Sequence, residues 1–237
     1  MPSSANRNGG PPASALVLFD IDGTLIRKAG PHHREALVEA VRRTMKVETT
    51  TDNVPVQGML DRDILTVMLT NVGVRRGEIT RAMPELVRCA QAVYVRCCPN
   101  LEKKVCPGAR SLLYRLSRRG IPAGLVTGNL SRIGWKKMEH AGLRKYFRFG
   151  AFAESARDRA GLARMAIRHA RAQGWIAKDS RISLIGDHPN DVLAAKANRV
   201  QSIAVATGLS PASELAEYSP DLLIDDLRSL RLEHLVG

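Results

Sequence analysis

Three short polar clusters hold the residues best suited to chemistry: Asp20-Ile21-Asp22-Gly23-Thr24, Thr127-Gly128-Asn129, and Gly186-Asp187-His188-Pro189-Asn190-Asp191. Singly, each has an ordinary structural meaning, since an Asp after a strand often caps a helix and Thr-Gly-Asn is a common turn. Together they offer four carboxylates, Asp20, Asp22, Asp187 and Asp191, to one place if the fold brings them there. Two like charges ~4 Å apart repel by about 4 kcal/mol at an effective dielectric of about 20. Converged acids therefore need a cation among them, or some must be protonated. An oxygen-only set without His or Cys suits a hard ion, and Mg²⁺ favours one or two carboxylates with waters and a substrate phosphate. Hydroxyl and amide donors of Thr127, Gly128 and Asn129 at a helix start can cradle phosphate oxygens. A phosphate beside Mg²⁺, with a carboxylate poised for attack, is the arrangement for phosphoryl transfer through an aspartyl-phosphate.

The elements that must position these residues are readable from apolar runs. Residues 15–19 form a continuous apolar run ending in charge, as expected of a strand buried on both faces of a parallel sheet. Similar runs recur at 121–126, 181–185, 202–206 and 222–224, separated by helix-period segments at 108–119, 131–141, 160–173, 189–198 and 211–217. This alternation predicts an α/β fold with a doubly wound, mostly parallel, Rossmann-like sheet. Each polar cluster then follows a strand, where open α/β sheets build their sites. About a hundred residues separate Asp22 from Thr127, far more than one crossover needs. They carry helical periodicity near 31–45, 61–71 and 77–97 without a convincing strand. The expected organisation is a flexible tail at 1–14, an α/β core at 15–26 and 106–237, and an inserted helical cap at 27–105.

These residues resemble the haloacid dehalogenase-like hydrolase superfamily. Asp20-Ile-Asp22-Gly-Thr24-Leu25 looks like its first motif, Thr127-Gly-Asn129 its second, and Gly186-Asp187 through Asp191 its fourth. The helical insertion resembles the C1 cap of the phosphoglycolate phosphatase and β-phosphoglucomutase branch, and Gly58-Met-Leu-Asp61 a segment of such caps. The resemblance implies that Asp20 attacks phosphorus and that Asp22 protonates the leaving alcohol, then activates water. It implies Mg²⁺ held by Asp20, the Asp22 backbone carbonyl and Asp187, with Asp191 in support. Thr127, with neighbouring amides including those of Gly128 and Asn129, would bind the phosphoryl group. The family's third motif carries a lysine that is missing from residues 155–162. Arg159 is the candidate substitute and Arg157 the reserve; arginine keeps the charge but presents it as a planar fork. Lys178 lies too near the following strand. His32, His33 and Arg34 open the cap and are expected at the surface.

Asp22 argues against a haloacid dehalogenase proper and against a phosphonate hydrolase, both of which lack a second acid at that spacing. A phosphomutase of the β-phosphoglucomutase kind keeps all the motifs and stays open beside a Mg²⁺-dependent phosphatase acting on a small phosphorylated metabolite. A non-enzymatic basic binding protein is the rival from another class. The chain has 237 residues and a formal charge of +13. Its basic residues come as scattered doublets such as Arg42-Arg43, Arg118-Arg119 and Lys136-Lys137, read as exposed helix positions. Aromatics make up only 4 % and do not interleave with them, so no stacking platform for nucleic acid is expected. No apolar run reaches the ~20 residues of a membrane span, and residues 1–14 lack the apolar region of an export signal. Cys89, Cys97, Cys98 and Cys106 fit no zinc spacing and are expected as buried or half-buried reduced thiols. The expected location is the cytoplasm.

Overall fold

The computed structural model describes residues 11–236. In chain order its elements are β1 (Ala13–Phe19), α1 (His32–Met45), α2 (Asp61–Asn71), α3 (Arg76–Cys97), α4 (Ala109–Arg118), β2 (Ala123–Val126), α5 (Ser131–His140), β3 (Phe147–Ala151), α6 (Arg159–Ala172), β4 (Ile176–Gly186), α7 (Pro189–Ala197), β5 (Gln201–Val205), α8 (Ala212–Glu217), β6 (Leu222–Ile224) and α9 (Glu233–Val236). The strands form one sheet in the order β3-β2-β1-β4-β5-β6, and every neighbouring pair is parallel. Residues 1–10 of the expected tail lie outside the described residues. Its last two members, Ala13 and Ser14, already belong to β1, because the Ala13 amide donates to the Trp175 carbonyl (2.8 Å) and Ser180 Oγ donates to the Ala13 carbonyl (2.8 Å).

β1 is central, and the chain leaves it first for β2 on one side and later for β4 on the other. That reversal is the switch point at which open α/β sheets bind ligands. The register makes the convergence concrete, since Phe19 pairs with Leu125 of β2 and with Ile185 of β4. Asp20, Thr127 and Asp187 therefore emerge side by side from three adjacent strand ends.

Alternate residues of β1 feed two apolar clusters, as a strand buried on both faces requires. Leu16 and Leu18 join one; Ala15, Val17 and Phe19 join the other. The first cluster runs continuously into the insert, taking in Leu37 of α1, Leu65 and Met68 of α2, and Leu86 and Tyr94 of α3. Among the described residues, 27–105 contain helices α1–α3 and no strand. Strand β3 is an addition to the sequence reading. It is an edge strand in which Phe147, Phe149 and Ala151 are buried while Arg148 is exposed. Such alternation marks a half-buried strand, whereas a search for continuous apolar runs finds only the doubly buried ones.

The four cysteines are unpaired; Cys106 is buried, Cys89 and Cys98 half-buried, and Cys97 exposed, which corrects the expectation that all would be at least half-buried. Cys97 is the last residue of α3, where the helix runs out of apolar cover. Among the described residues no helix is long and apolar enough to cross a membrane.

Candidate active site

The segment after β1 turns back at once: the Leu25 and Ile26 amides both donate to the Ile21 carbonyl at 2.9 Å. Gly23 allows this turn with φ of 90°, and a Cβ there would lie 2.1 Å from Asp187 Oδ2. Gly208, after β5, approaches the same carboxylate as closely. Backbone is thus packed around Asp187 on two sides, and Thr24 Oγ1 donates to its Oδ1 (3.0 Å).

Asp20, Asp187 and Asp191 are all buried, and each offers an oxygen within 4.8 Å of the others. Burial and the charges of Asp20 and Asp191 push the Asp187 carboxyl well above the ordinary carboxylate range. Burial likewise pushes Asp191 up to about 7, opposed by Arg159. Arg159, also buried, donates through Nη1 to Asp20 Oδ1 (2.8 Å), and its Nε lies 3.4 Å from Asp191 Oδ1. Burial works against the Arg159 charge, but Asp191 and Asp20 outweigh it and raise its pKa. Arg157 is exposed and Lys178 lies on the surface, so only Arg159 of the three enters the cluster.

Asp191 serves two ends. Its Oδ2 accepts from the His188 amide (3.3 Å) while His188 Nδ1 accepts from the Asn190 amide (3.1 Å), which closes a capping box at the start of α7. Its Oδ1 lies 3.4 Å from Arg159 Nε and makes no hydrogen bond. Three buried carboxylates facing one arginine, with one oxygen lacking a hydrogen bond, are the environment a hard divalent cation relieves, and the all-oxygen donor set fits such an ion.

Asp22 faces another way. Its side chain is half-buried, and both oxygens accept from Lys137 Nζ on α5 at 2.7 and 2.6 Å, with Asn129 Nδ2 donating to Oδ2 (2.7 Å). Burial alone would raise this carboxyl, but the charge of Lys137 and the hydrogen bonds from Lys137 and Asn129 hold it below its ordinary value. Lys137 was expected at the surface as half of a basic doublet; it is instead 1 % exposed. The pattern carried a signal, because Ile133, Gly134, Lys137 and Met138 all lie on the buried face of α5. A lysine on an apolar stripe needs a buried partner.

Thr127 is fully buried, and Asn129 Nδ2 donates to its hydroxyl (2.8 Å). The helix start beyond it is already occupied. The Leu130 amide donates to Asp61 Oδ2 (2.7 Å), the Ser131 amide to Glu154 Oε1 (3.0 Å) and the Arg132 amide to Gln91 Oε1 (2.8 Å). Asp61 and Gln91 come from α2 and α3 of the insert, so the amides of Leu130 and Arg132 fasten the insert. The Thr127 amide is also taken, by the Ala151 carbonyl (3.1 Å). Gly128 sits under the insert as well: its carbonyl accepts from the Asp61 amide (2.8 Å), and a Cβ on it would lie 2.2 Å from the Met59 carbonyl. His33, expected at the surface, donates from Nε2 to Asp61 (2.9 Å) and accepts from Lys137 at Nδ1 (3.2 Å). Arg34 is exposed yet borders the same cavity, and His32 is half-buried away from it. That cavity, of about 300 Å³, lies between the strand tips and the insert and touches Asp20, Asp22, Thr127, Arg159 and Asp187. Its size suits a small ligand.

A family model described as haloacid dehalogenase-like hydrolase matches residues 15–198. The chain belongs to that family. Among its curated relatives, a phosphoglycolate phosphatase of Pseudomonas fluorescens is 30 % identical over 91 % of this chain and 78 % of that protein. A phosphoglycolate phosphatase of Agrobacterium fabrum is 26 % identical over 92 % of this chain and 91 % of its own length. These relations make the haloacid dehalogenase-like chain a phosphoric monoester hydrolase. Solved structures share the fold. A β-phosphoglucomutase of Clostridium difficile superposes with a TM-score of 0.68 at 18 % identity, covering 93 % of this chain and 94 % of that one. A mutant of CbbY from Rhodobacter sphaeroides in complex with xylulose-(1,5)bisphosphate superposes with a TM-score of 0.69 at 18 % identity, covering 91 % and 96 %.

Proposed function

We propose that this protein is a Mg²⁺-dependent phosphatase that hydrolyses a small phosphorylated metabolite through an aspartyl-phosphate on Asp20. The observation that carries the reading is the division between two acids on one turn: Asp20 lies beside Arg159 and the buried acids, while Asp22 is turned toward Lys137. Asp20 attacks phosphorus as the ester P–O bond breaks; Asp22, ionised in the free protein, must take up a proton from solvent as substrate binds and then gives that proton to the leaving alkoxide. Asp22, now a carboxylate, takes a proton from a water that attacks the aspartyl-phosphate, which frees inorganic phosphate and restores Asp20. Asp20, the Asp22 carbonyl and Asp187, with Asp191 in support, would hold Mg²⁺, which would supply positive charge for the anionic phosphate to approach these acids. Arg159 adds fixed charge on the same side, and Thr127 meets the phosphoryl oxygens through its hydroxyl with the Gly128 and Asn129 amides beside it.

The relatives' names favour phosphoglycolate as substrate, and Arg27, Lys28 and Arg34 along the cavity suit a second anionic group. The test is phosphate release from a panel of phosphate monoesters that includes phosphoglycolate and sugar phosphates, with Mg²⁺ and with a chelator. Mg²⁺-dependent release led by a small acid phosphate is the expected result. Release that ignores the metal contradicts the reading, and isomerisation of a sugar phosphate in place of release converts it to a phosphomutase.

A further inference from the structure

We propose that Lys137 is a positioning residue that fixes the Asp22 carboxylate for proton transfer and does not itself bind substrate; this rests on the phosphatase reading above. An ammonium group has three protons, and three acceptors lie within hydrogen-bond distance of Lys137 Nζ: Asp22 Oδ1 (2.7 Å), Asp22 Oδ2 (2.6 Å) and His33 Nδ1 (3.2 Å). With the side chain 1 % exposed and its protons committed, none is left for a phosphate. The contact to both carboxylate oxygens, with Asn129 on Oδ2, fixes the plane of the carboxylate as well as its position. A carboxylate without fixed partners samples several rotamers, and misplacing a proton-transfer group by about 1 Å costs on the order of a hundredfold in rate.

Lys137 is itself held from the insert. His33 Nδ1 accepts from Lys137, which assigns the ring proton to Nε2, and that proton goes to Asp61 (2.9 Å). Asp61 in turn accepts from the Leu130 amide at the head of the helix that carries Lys137 (2.7 Å). The Tyr94 ring lies 5.9 Å from Nζ and closes the remaining side. The ammonium thus spans a seam, with one partner from the strand tip and one from the inserted helices.

The experiment is a double-mutant cycle on the full chain with Lys137→Met, Asp22→Asn and both together, measuring kcat and KM separately at saturating Mg²⁺. Lys137→Met is expected to lower kcat about 10- to 100-fold with KM changed less than about threefold, and its effect in the Asp22→Asn background is expected to shrink to less than about threefold. Lys137→Gln, which keeps a donor without the charge, is run in parallel so that the cycle can be read if the methionine variant does not fold; partial recovery of kcat is expected there. A loss confined to KM, a full loss that persists in the Asp22→Asn background, or no loss at all overturns the proposal. Wild type without Mg²⁺-dependent turnover overturns the phosphatase reading and this one together, whereas an active wild type with unaffected Lys137 variants overturns this one alone.

Discussion

Asp20 and Asp22 leave the same strand tip two residues apart and end in opposite surroundings. Asp20 is buried among Asp187, Asp191 and Arg159, where acids outnumber bases and two carboxyls are held above their ordinary range. Asp22 is half-buried against Lys137 and Asn129, where it is held below its ordinary value. One spacing of i, i+2 thus puts one side chain among buried acids beside Arg159 and the other against Lys137, both bordering one cavity. The lesson is that a pair of acids in a motif is not a symmetric pair; its partners, from helices more than a hundred residues away in sequence, assign the roles.

Breaking each member separately is the strongest test of that contrast. Asp20→Asn is expected to lower kcat by about a thousandfold or more for every substrate, since no nucleophile remains. Asp22→Asn is expected to cost about 10²- to 10⁴-fold for alkyl phosphates. Equal losses on all substrates from both variants would erase the distinction.

Removing the base on the Asp20 side comes next. Arg159→Ala is expected to lower kcat about a hundredfold, as loss of fixed positive charge at a developing anion does. Unchanged turnover would remove Arg159 from the site's chemistry and leave the Asp22 side untouched.

The smallest effect sharpens the electrostatic half of the comparison. In the metal-free protein Asp191 has its carboxyl raised to about 7 against an ordinary value near ~4, so the stability its proton supplies is complete below about pH 4 and is lost as pH rises through about 7. Mg²⁺ bound at this cluster would replace that proton. At ten times its Kd the ion is worth about 1.4 kcal/mol, roughly 3–6 °C in Tm for a chain of this size. Thermal melts are expected to show a larger Mg²⁺ increment at pH 8 than at pH 6; the reverse order would place the ion elsewhere.

Much of this was legible before any coordinates. Continuous apolar runs locate doubly buried strands, and polar residues directly after them mark where an α/β sheet works, which is how Asp20, Thr127 and Asp187 come into view; Arg159 comes from the resemblance to the family's third motif. Strand β3 escaped because an edge strand is covered on one face only, so Arg148 interrupts its apolar residues. Lys137 escaped for a different reason. Its neighbour Lys136 is partly exposed and pairs with Glu139 on the surface, so the doublet looks solvated, and the partner that buries Lys137 lies 115 residues away. The capping of α5 by Asp61 and Gln91 is equally non-local, and it ties the first turn of that helix to the insert.

The central claim, that Asp20 takes the phosphoryl group and Asp22 helps release it, is tested most directly by following Asp22→Asn with 4-nitrophenyl phosphate and Mg²⁺. This leaving group needs no protonation, so Asp20 should still be phosphorylated while hydrolysis stalls. The expected result is a burst of about one equivalent of nitrophenolate per enzyme, with the mass of one phosphoryl group on the peptide that contains Asp20. Nitrophenolate release without a burst, together with no phosphoryl mass on that peptide, would contradict the account.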